Sequence, residues 1–319
     1  MKNFLNFFKF ERETANAPSL STSDKSVHLD FIRYSCGAFD IKIPHDHKLP
    51  DYQSSHPLYD RFLPMLAKAL PPQSIVIDVG ANVGDTYASM ISENKTLQFH
   101  CFEPDPEFYS LLVENMSLIV EATQKCKTPD IACREFVGSE KSTQGILVSR
   151  DGSAHIESAP SSNATINYLR LDDYIKSNIP TYNIDTILIK SDVDGFDYDA
   201  INSLGDLPEE GGPLLFFECQ TDTQQQLEQY KQLINRLGDS KYTFISFDNF
   251  GNPINLHCTK ENVFDLLDYV WRQNINSATR TIWYIDVLAY QVDMLAVVDR
   301  AFFYFNQEMI SRISIGDRE

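Results

Sequence analysis

The segment Ile75-Val-Ile-Asp78-Val-Gly80-Ala-Asn82-Val-Gly84-Asp85-Thr86 constrains this chain more than any other. A short apolar run of strand character leads straight into a turn bearing two glycines, and the turn opens a helical pattern. A strand without polar alternation has to be covered on both faces, which is the situation of a parallel sheet. The same alternation recurs along the chain. Residues 74–79, 97–102, 131–137, 186–190, 214–218, 243–247 and 281–288 read as strands, and residues 84–91, 106–120 and 222–237 as helices. Apolar strands separated by helices predict a doubly wound α/β sheet.

Ahead of this core, alternating residues at 31–34 and 39–43 predict two short strands, and residues 58–70 a helix stopped by Pro71-Pro72. Residues 1–26 read as a tail and linker, with a Ser, Thr and Pro-rich stretch from Ala15. Residues 27–319 are expected to form a single domain: a lead-in over 27–72, a cofactor-binding core over 73–290 and a C-terminal extension over 291–319. Between Gly138 and Tyr168 the pattern turns polar, and residues 145–149 predict one strand of an edge hairpin.

Charge narrows the partners. Across 319 residues, 45 acidic side chains against 27 basic ones give a net charge of −18, which disfavours nucleic acid and anionic lipid. A 43% hydrophobic content excludes wholesale disorder. The most apolar stretch, residues 281–305, is interrupted by Asp286, Asp293, Asp299 and Arg300, so no membrane span is expected. The apolar residues of the N-terminus are broken by Asn6 and Lys9, so no secretion signal is expected either. Cys36, Cys101, Cys126, Cys133, Cys219 and Cys258 contain no C-x-x-C pair and read as reduced thiols of a cytoplasmic protein.

Ligands of open α/β sheets bind beyond the carboxyl ends of the strands. A dinucleotide fingerprint is G-x-G-x-x-G, whereas the spacing here is Gly80-x-x-x-Gly84 with Asn82 inside it and Asp78 and Asp85 on either side. Those carboxylates repel a pyrophosphate but suit the sulfonium and ammonium of S-adenosylmethionine (SAM). Glu103, at the tip of the next strand in Phe102-Glu103-Pro104, is placed to accept both hydroxyls of an adenosine ribose. Gly138 and Ser139, at the end of the third strand, are candidates for the adenine edge.

A second constellation is Lys190-Ser191-Asp192-Val193-Asp194-Gly195-Phe196-Asp197. An apolar strand delivers Lys190, Asp192 and Asp194 at its carboxyl end, and Asp197 is expected on the same rim. Crowded carboxylates gain proton affinity unless a cation compensates. Three uses compete: a general base, a divalent-metal ligand set built on Asp192 and Asp194, and the D-x-D signature of a sugar-nucleotide transferase. A solvated loop with helix-capping aspartates is the plain alternative.

Taken together, Asp78-Val-Gly-Ala-Asn-Val-Gly84, Phe102-Glu103-Pro104, Leu171-Asp-Asp-Tyr174, the run from Ile184 to Phe196, Phe217-Glu218 and the run from Tyr242 to Asn252 resemble the FkbM family of SAM-dependent methyltransferases. The resemblance covers roughly residues 59–252. It implies a Rossmann-like class I methyltransferase sheet of seven strands, mostly parallel with the last antiparallel, and methyl transfer from SAM to a hydroxyl of a sugar, glycan or secondary metabolite. The family commonly shows Ile-Asp-Val-Glu-Gly where this chain has Ser191-Asp192-Val193-Asp194-Gly195, so the carboxylate of Asp194 is withdrawn by one methylene. Residues beyond Gly251, apart from the strand at 281–288, find no counterpart in these motifs.

In-line methyl transfer asks mainly for positioning and for a group that takes the hydroxyl proton. Asp192 is the first candidate, with Lys190 tuning its charge and Glu218 as a second. His257 is an alternative base, and magnesium held by Asp192, Asp194 or Glu218 is an alternative means of activating the hydroxyl. His45-Asp46-His47 reads as a polar loop at the pocket mouth. The aromatic residues Trp271 and Trp283 are placed either to stack on a sugar ring or to pack in the core. The charge balance favours a neutral or cationic small molecule or glycan as acceptor. Two further readings compete: a D-x-D glycosyltransferase, which leaves the turn at Gly80 and Glu103 unexplained, and a non-catalytic module that keeps the SAM pocket.

Overall fold

The computed structural model describes residues 31–125, 130–140, 142–144, 146–150, 153–157, 165–179 and 186–316. The tail and linker of residues 1–26, Cys126, Gly145 and the Ile184-Asp185 end of the second motif lie outside them. A hairpin of β1 (Phe31–Cys36) and β2 (Phe39–Pro44) comes first, followed by α1 (Leu49–Ser55) and α2 (Phe62–Ala69). The helix expected from residue 58 begins at Phe62 instead. Residues 57–60 form a turn ending at Asp60, whose left-handed φ of 56° is incompatible with helix.

The first half of the core is β3 (Ile75–Val79), α3 (Asp85–Glu93), β4 (Gln98–Phe102), α4 (Pro106–Thr123) and β5 (Ile131–Cys133), with the three strands parallel. The strand expected over 131–137 is broken. Its last part, β6 (Phe136–Val137), leaves the main sheet to pair with β10 (Thr165–Leu169), which also pairs with β7 (Ser142–Gln144). The edge hairpin is β8 (Ile146–Arg150) with β9 (Ser153–Glu157). The second half comprises α5 (Leu171–Asn178), β11 (Ile187–Ser191), α6 (Asp197–Asn202), β12 (Leu214–Gln220), α7 (Gln224–Asp239), β13 (Thr243–Asp248), β14 (Pro253–Cys258), α8 (Lys260–Asn276), β15 (Tyr284–Tyr290) and α9 (Leu295–Gly316).

The main sheet has eight strands in the order β14-β13-β15-β12-β11-β3-β4-β5. The last strand in the chain, β15, is inserted antiparallel between β12 and β13. The eighth strand, β14, is an addition to the expected seven: it folds back on β13 as a hairpin. Helices α2, α3, α4 and α9 cover one face of the sheet around Leu66, Ile91, Leu112 and Phe305, and α5 to α8 cover the other around Leu171, Ile201, Tyr230 and Leu267. The C-terminal helix is integral to the first layer, because the Phe62 ring lies 4.8 Å from Phe302 and 5.7 Å from Phe305. Local signals set the helix starts. Asp105 caps α4 by accepting from the amides of Glu107 and Phe108, and Thr223 and Gln226 form a capping box at α7. No helix among the described residues is long and apolar enough to cross a membrane.

The parallel strands β3, β4, β11 and β12 bring their carboxyl ends to one edge of the sheet. Because β15 runs the other way, its amino end, Tyr284 to Asp286, arrives at the same edge.

Candidate active site

A cavity of about 730 Å³ opens at that edge. The turn after β3 holds Gly80, Asn82 and Gly84 at positive φ values of 78°, 48° and 86°. At Gly80 a side chain is excluded twice, by the backbone conformation and by space: a Cβ would lie 1.9 Å from the carbonyl oxygen of Asp192. The turn and the loop after β11 therefore meet backbone to backbone, and the Asp192 amide donates to the Val79 carbonyl at 3.0 Å. Glu103 ties the next strand into the same arrangement. Its Oε2 accepts from the Asn82 amide and its Oε1 from the Asp105 amide, each at 2.8 Å. Burial raises the Glu103 pKa to about 7, although both amides pull it down.

Lys190 joins the two motifs. Strand register sets it opposite Asp78, and its Nζ lies 3.1 Å from Asp78 Oδ1, donates to the Gly80 carbonyl at 3.1 Å and stands 3.6 Å from Asp192 Oδ2. Burial alone disfavours its charge, but Asp78, Asp192 and Asp85 together hold its pKa above the usual lysine value. Asp78 is fully buried, and burial pushes its pKa to about 6 against the pull of Lys190. Asp78 thus stands behind the wall and anchors the lysine. The Asp192 side chain, 54% exposed, reaches into the cavity.

Gly80, Asn82, Asp85, Glu103, Lys190, Asp192, Asp194 and Glu218 all line the cavity, whereas Asp78, Gly84, Gly138 and Ser139 do not. Gly84 ends the turn against Leu112, whose Cδ1 a Cβ would approach to 2.9 Å. Ser139 donates through its amide, at 3.1 Å, and through its hydroxyl to Asp199, and the wall expected from Gly138 and Ser139 is supplied by Phe136, Val137 and Tyr168. Asp197 is likewise off the rim: it is fully buried and accepts from the Ser191 hydroxyl at 2.6 Å and the Val193 amide at 3.2 Å, with burial and Asp192 raising its pKa to about 7. His257 is also elsewhere, 2.5 Å from the Tyr290 hydroxyl through Nδ1, so it is no candidate base. His47 does reach the mouth, its Nε2 3.3 Å from Asn82 Oδ1. The two tryptophans divide: Trp283 lines the cavity and Trp271 packs against the core. Among the described residues no three His, Cys, Asp or Glu side chains are grouped to hold a metal ion, so Asp192, Asp194 and Glu218 do not form such a set.

Tyr59, Asp60, Tyr284 and Asp286 are among the cavity residues with no counterpart in the sequence candidates. Asp286 sits opposite Glu218 in the β12–β15 ladder, and an antiparallel last strand was the signal that places it there. The pKa of Glu218 is raised well above the ordinary value by burial and then by Asp192 and Asp197, and that of Asp286 by burial and then by Asp192 and Asp60. Asp60 is open to the cavity but enclosed by protein elsewhere. That enclosure, with Asp85 and Asp192, raises its pKa to about 7 against Lys190 and Arg61. The turn carrying it is held by the opposite loop, where His56 stacks on Phe250 at 4.0 Å and a Cβ on Gly251 would lie 2.1 Å from the Leu58 carbonyl oxygen.

A family model for the methyltransferase FkbM domain matches residues 78–245. The chain belongs to that family. The matched segment of the FkbM domain contains the turn after β3, Glu103, Lys190, Asp192 and Glu218, and stops short of Asp60 and Asp286 on either side. Comparison with curated proteins gives no match. Among solved structures, a methyltransferase FkbM from Methylobacillus flagellatus KT is 15% identical with a TM-score of 0.35, the alignment covering 68% of this chain and 44% of that one. This chain thus covers less than half the length of the Methylobacillus protein. A precorrin-6y C5,15-methyltransferase from Geobacter metallireducens GS-15 is 11% identical, with a TM-score of 0.35 and coverage of 71% and 85%. TYW2 of P. horikoshii, solved in complex with MeSAdo, is 14% identical, with a TM-score of 0.37 and coverage of 82% and 72%.

Proposed function

We propose that this FkbM domain is a SAM-dependent O-methyltransferase acting on a hydroxyl of a small molecule or glycan. The observation that carries the reading is the make-up of the cavity wall. Among the described residues it holds nine carboxylates, including Asp85, Glu103 and Asp192, against the two lysines Lys48 and Lys190. Such a wall accepts hydrogen bonds and attracts cations, and it opposes the diphosphate of a nicotinamide or sugar nucleotide. Its volume is in the range of cofactor sites. The residues fit SAM: Glu103 would hold the ribose hydroxyls, Phe136 and Val137 would flank the adenine, and Asp85 with the turn at Gly80 and Asn82 would face the charged end.

SAM supplies an activated methyl group, so the chain has to position the acceptor and remove its proton. Asp192 is the carboxylate that reaches the open cavity from the turn's own contact surface, and Lys190 fixes it from 3.6 Å. We assign it the proton of the acceptor hydroxyl. The thiols of Cys36, Cys101, Cys219 and Cys258, none of them in a disulfide, support a cytoplasmic setting.

Calorimetry with S-adenosylhomocysteine (SAH), the demethylated product, tests the cofactor half. Binding is expected, and Glu103→Ala is expected to weaken it about 100-fold, the worth of two hydrogen bonds to a charged group. Asp192→Asn should keep SAH affinity while lowering turnover on candidate glycans, read as gain of one methyl by mass spectrometry, by about 100-fold or more. Heat from a nucleotide sugar but none from SAH would reverse the reading in favour of a glycosyltransferase. Full turnover in Asp192→Asn would remove Asp192 as the base.

A further inference from the structure

The half of the cavity away from Glu103 is built by β12, β15 and the turn at Asp60, and its chemistry is distinct. Glu218 is only 7% exposed, yet it lines the cavity, and no hydrogen bond or ion pair with another described residue satisfies its carboxylate. Asp286 lies opposite it in the ladder, and Asp60 and Asp192 complete an acidic end; Lys190, 3.6 Å from Asp192, is also engaged by Asp78 and the Gly80 carbonyl, and Arg61 follows Asp60 in the chain. Aromatic side chains, Tyr59, Phe216 and Tyr284, share this end of the wall. An ionised carboxyl group can only accept, and leaving one buried without a donor is costly.

We propose that this end of the cavity binds a primary ammonium group of the acceptor, so that the substrate is an amino-bearing alcohol of the amino-sugar type. That the ammonium belongs to a methyl acceptor rests on the methyltransferase reading; that the site takes an ammonium does not. A divalent ion is a poorer occupant, because the described acidic side chains do not converge on one point as a ligand set. The donor's own cationic end is accounted for by Asp85 and the turn after β3. Asp60 and Asp286 lie outside the segment that matches the FkbM family, so the amine end draws on positions that the family match does not include.

The test compares 1-amino-1-deoxyglucitol with glucitol, which differ by one ammonium for one hydroxyl, in ligand-observed NMR titrations of the full chain saturated with SAH. The amine is expected to bind at least about tenfold more tightly, the scale of one charge-assisted hydrogen bond. Glu218→Gln should bring the two ligands within about threefold of each other while SAH affinity and cooperative thermal unfolding are retained. Glu261→Gln, at an exposed carboxylate on α8, should keep the full preference. Equal binding of the two polyols overturns the proposal. So does a preference that survives Glu218→Gln, which would mean general attraction to a chain of charge −18, and so does amine binding that SAH abolishes, which would assign the acidic end to the donor. Should Glu218→Gln not fold, Asp286→Asn is read by the same criteria. Failure of SAH to bind would remove the methyltransferase reading, and the same comparison on the unliganded chain would still decide whether the ammonium site exists.

Discussion

Replacing Lys190 with methionine is expected to cost about 3–5 kcal/mol of folding stability, the usual penalty for stripping the partner from a buried charge. Methionine keeps most of the aliphatic volume, so the loss measures the charge and its contacts. Lys190 is 5% exposed, and without it nothing offsets the burial of Asp78, whose carboxyl oxygens make no other hydrogen bond among the described residues. Asp78 already has a pKa raised to about 6 with the lysine present. In the variant it would bind its proton still more tightly, so the deficit should widen as pH rises and the proton has to leave. Lys190 also donates to the Gly80 carbonyl, so SAH affinity should fall alongside stability. Urea unfolding at pH 6 and pH 8 measures the first effect, and the double variant Asp78→Asn with Lys190→Met should recover part of it. A loss below about 1 kcal/mol would mean that Lys190 is a surface-like ion pair, and its place at the hub of the two motifs would be untenable.

What the sequence made legible was whatever depends on neighbours in the chain. The strands β3, β4, β11 and β12 are buried on both faces, so they read as largely apolar runs with few polar residues. The residues that follow each of them directly, such as Asn82, Glu103 and Asp192, reach the functional edge by simple continuation. Where the chain turns against that pattern, local reading fails. Ile131 to Val137 reads as one strand, but the charged pair Arg134-Glu135 marks a crossing from one sheet to another. Asp197 shares a motif with Asp192, yet the first turn of α6 rotates it beneath Ser191. Gly138 and Ser139 follow a strand end and still miss the cavity, because Asp199 of α6 takes both donors of Ser139 and the Gly138 amide donates to the Leu169 carbonyl. Asp286 was hidden for a directional reason. In an antiparallel strand the edge residue comes first, so it reads as a flaw in an apolar stretch. Asp60 was hidden by distance, since its position depends on the docking of residues 56–60 against Phe250 and Gly251, nearly two hundred residues later.

The crowding of carboxylates at this edge should make the unliganded protein less stable as pH rises from about 4 to about 8. Burial raises the pKa of Asp78 to about 6 and of Glu103 and Asp197 to about 7, with Glu218 and Asp286 well above the ordinary range. In the unfolded chain the same groups titrate near 4. Across that window the folded state therefore holds more protons than the unfolded one, and stability falls with increasing pH. One buried group opposes this: burial lowers the pKa of His100 to about 4, so it adds stability between about pH 4 and 6.5 as the unfolded imidazole loses its proton. A single histidine does not outweigh five carboxylates, and the net loss is expected to reach at least about 3 kcal/mol, or roughly 4–5 °C in Tm for a chain of this size. Surface repulsion from the net charge of −18 acts in the same direction, but salt screens it and leaves the buried groups largely untouched. Melting curves in 0.5 M NaCl at pH 5.5 and pH 8 isolate the buried contribution. Glu218→Gln removes one of the interacting carboxyls and should flatten the slope, and saturating SAH with 1-amino-1-deoxyglucitol should flatten it further by supplying the positive charge the cavity lacks. A Tm that stays level or rises between those two values would show that the acidic wall is not under electrostatic strain, and with it would go the reason for expecting cations there.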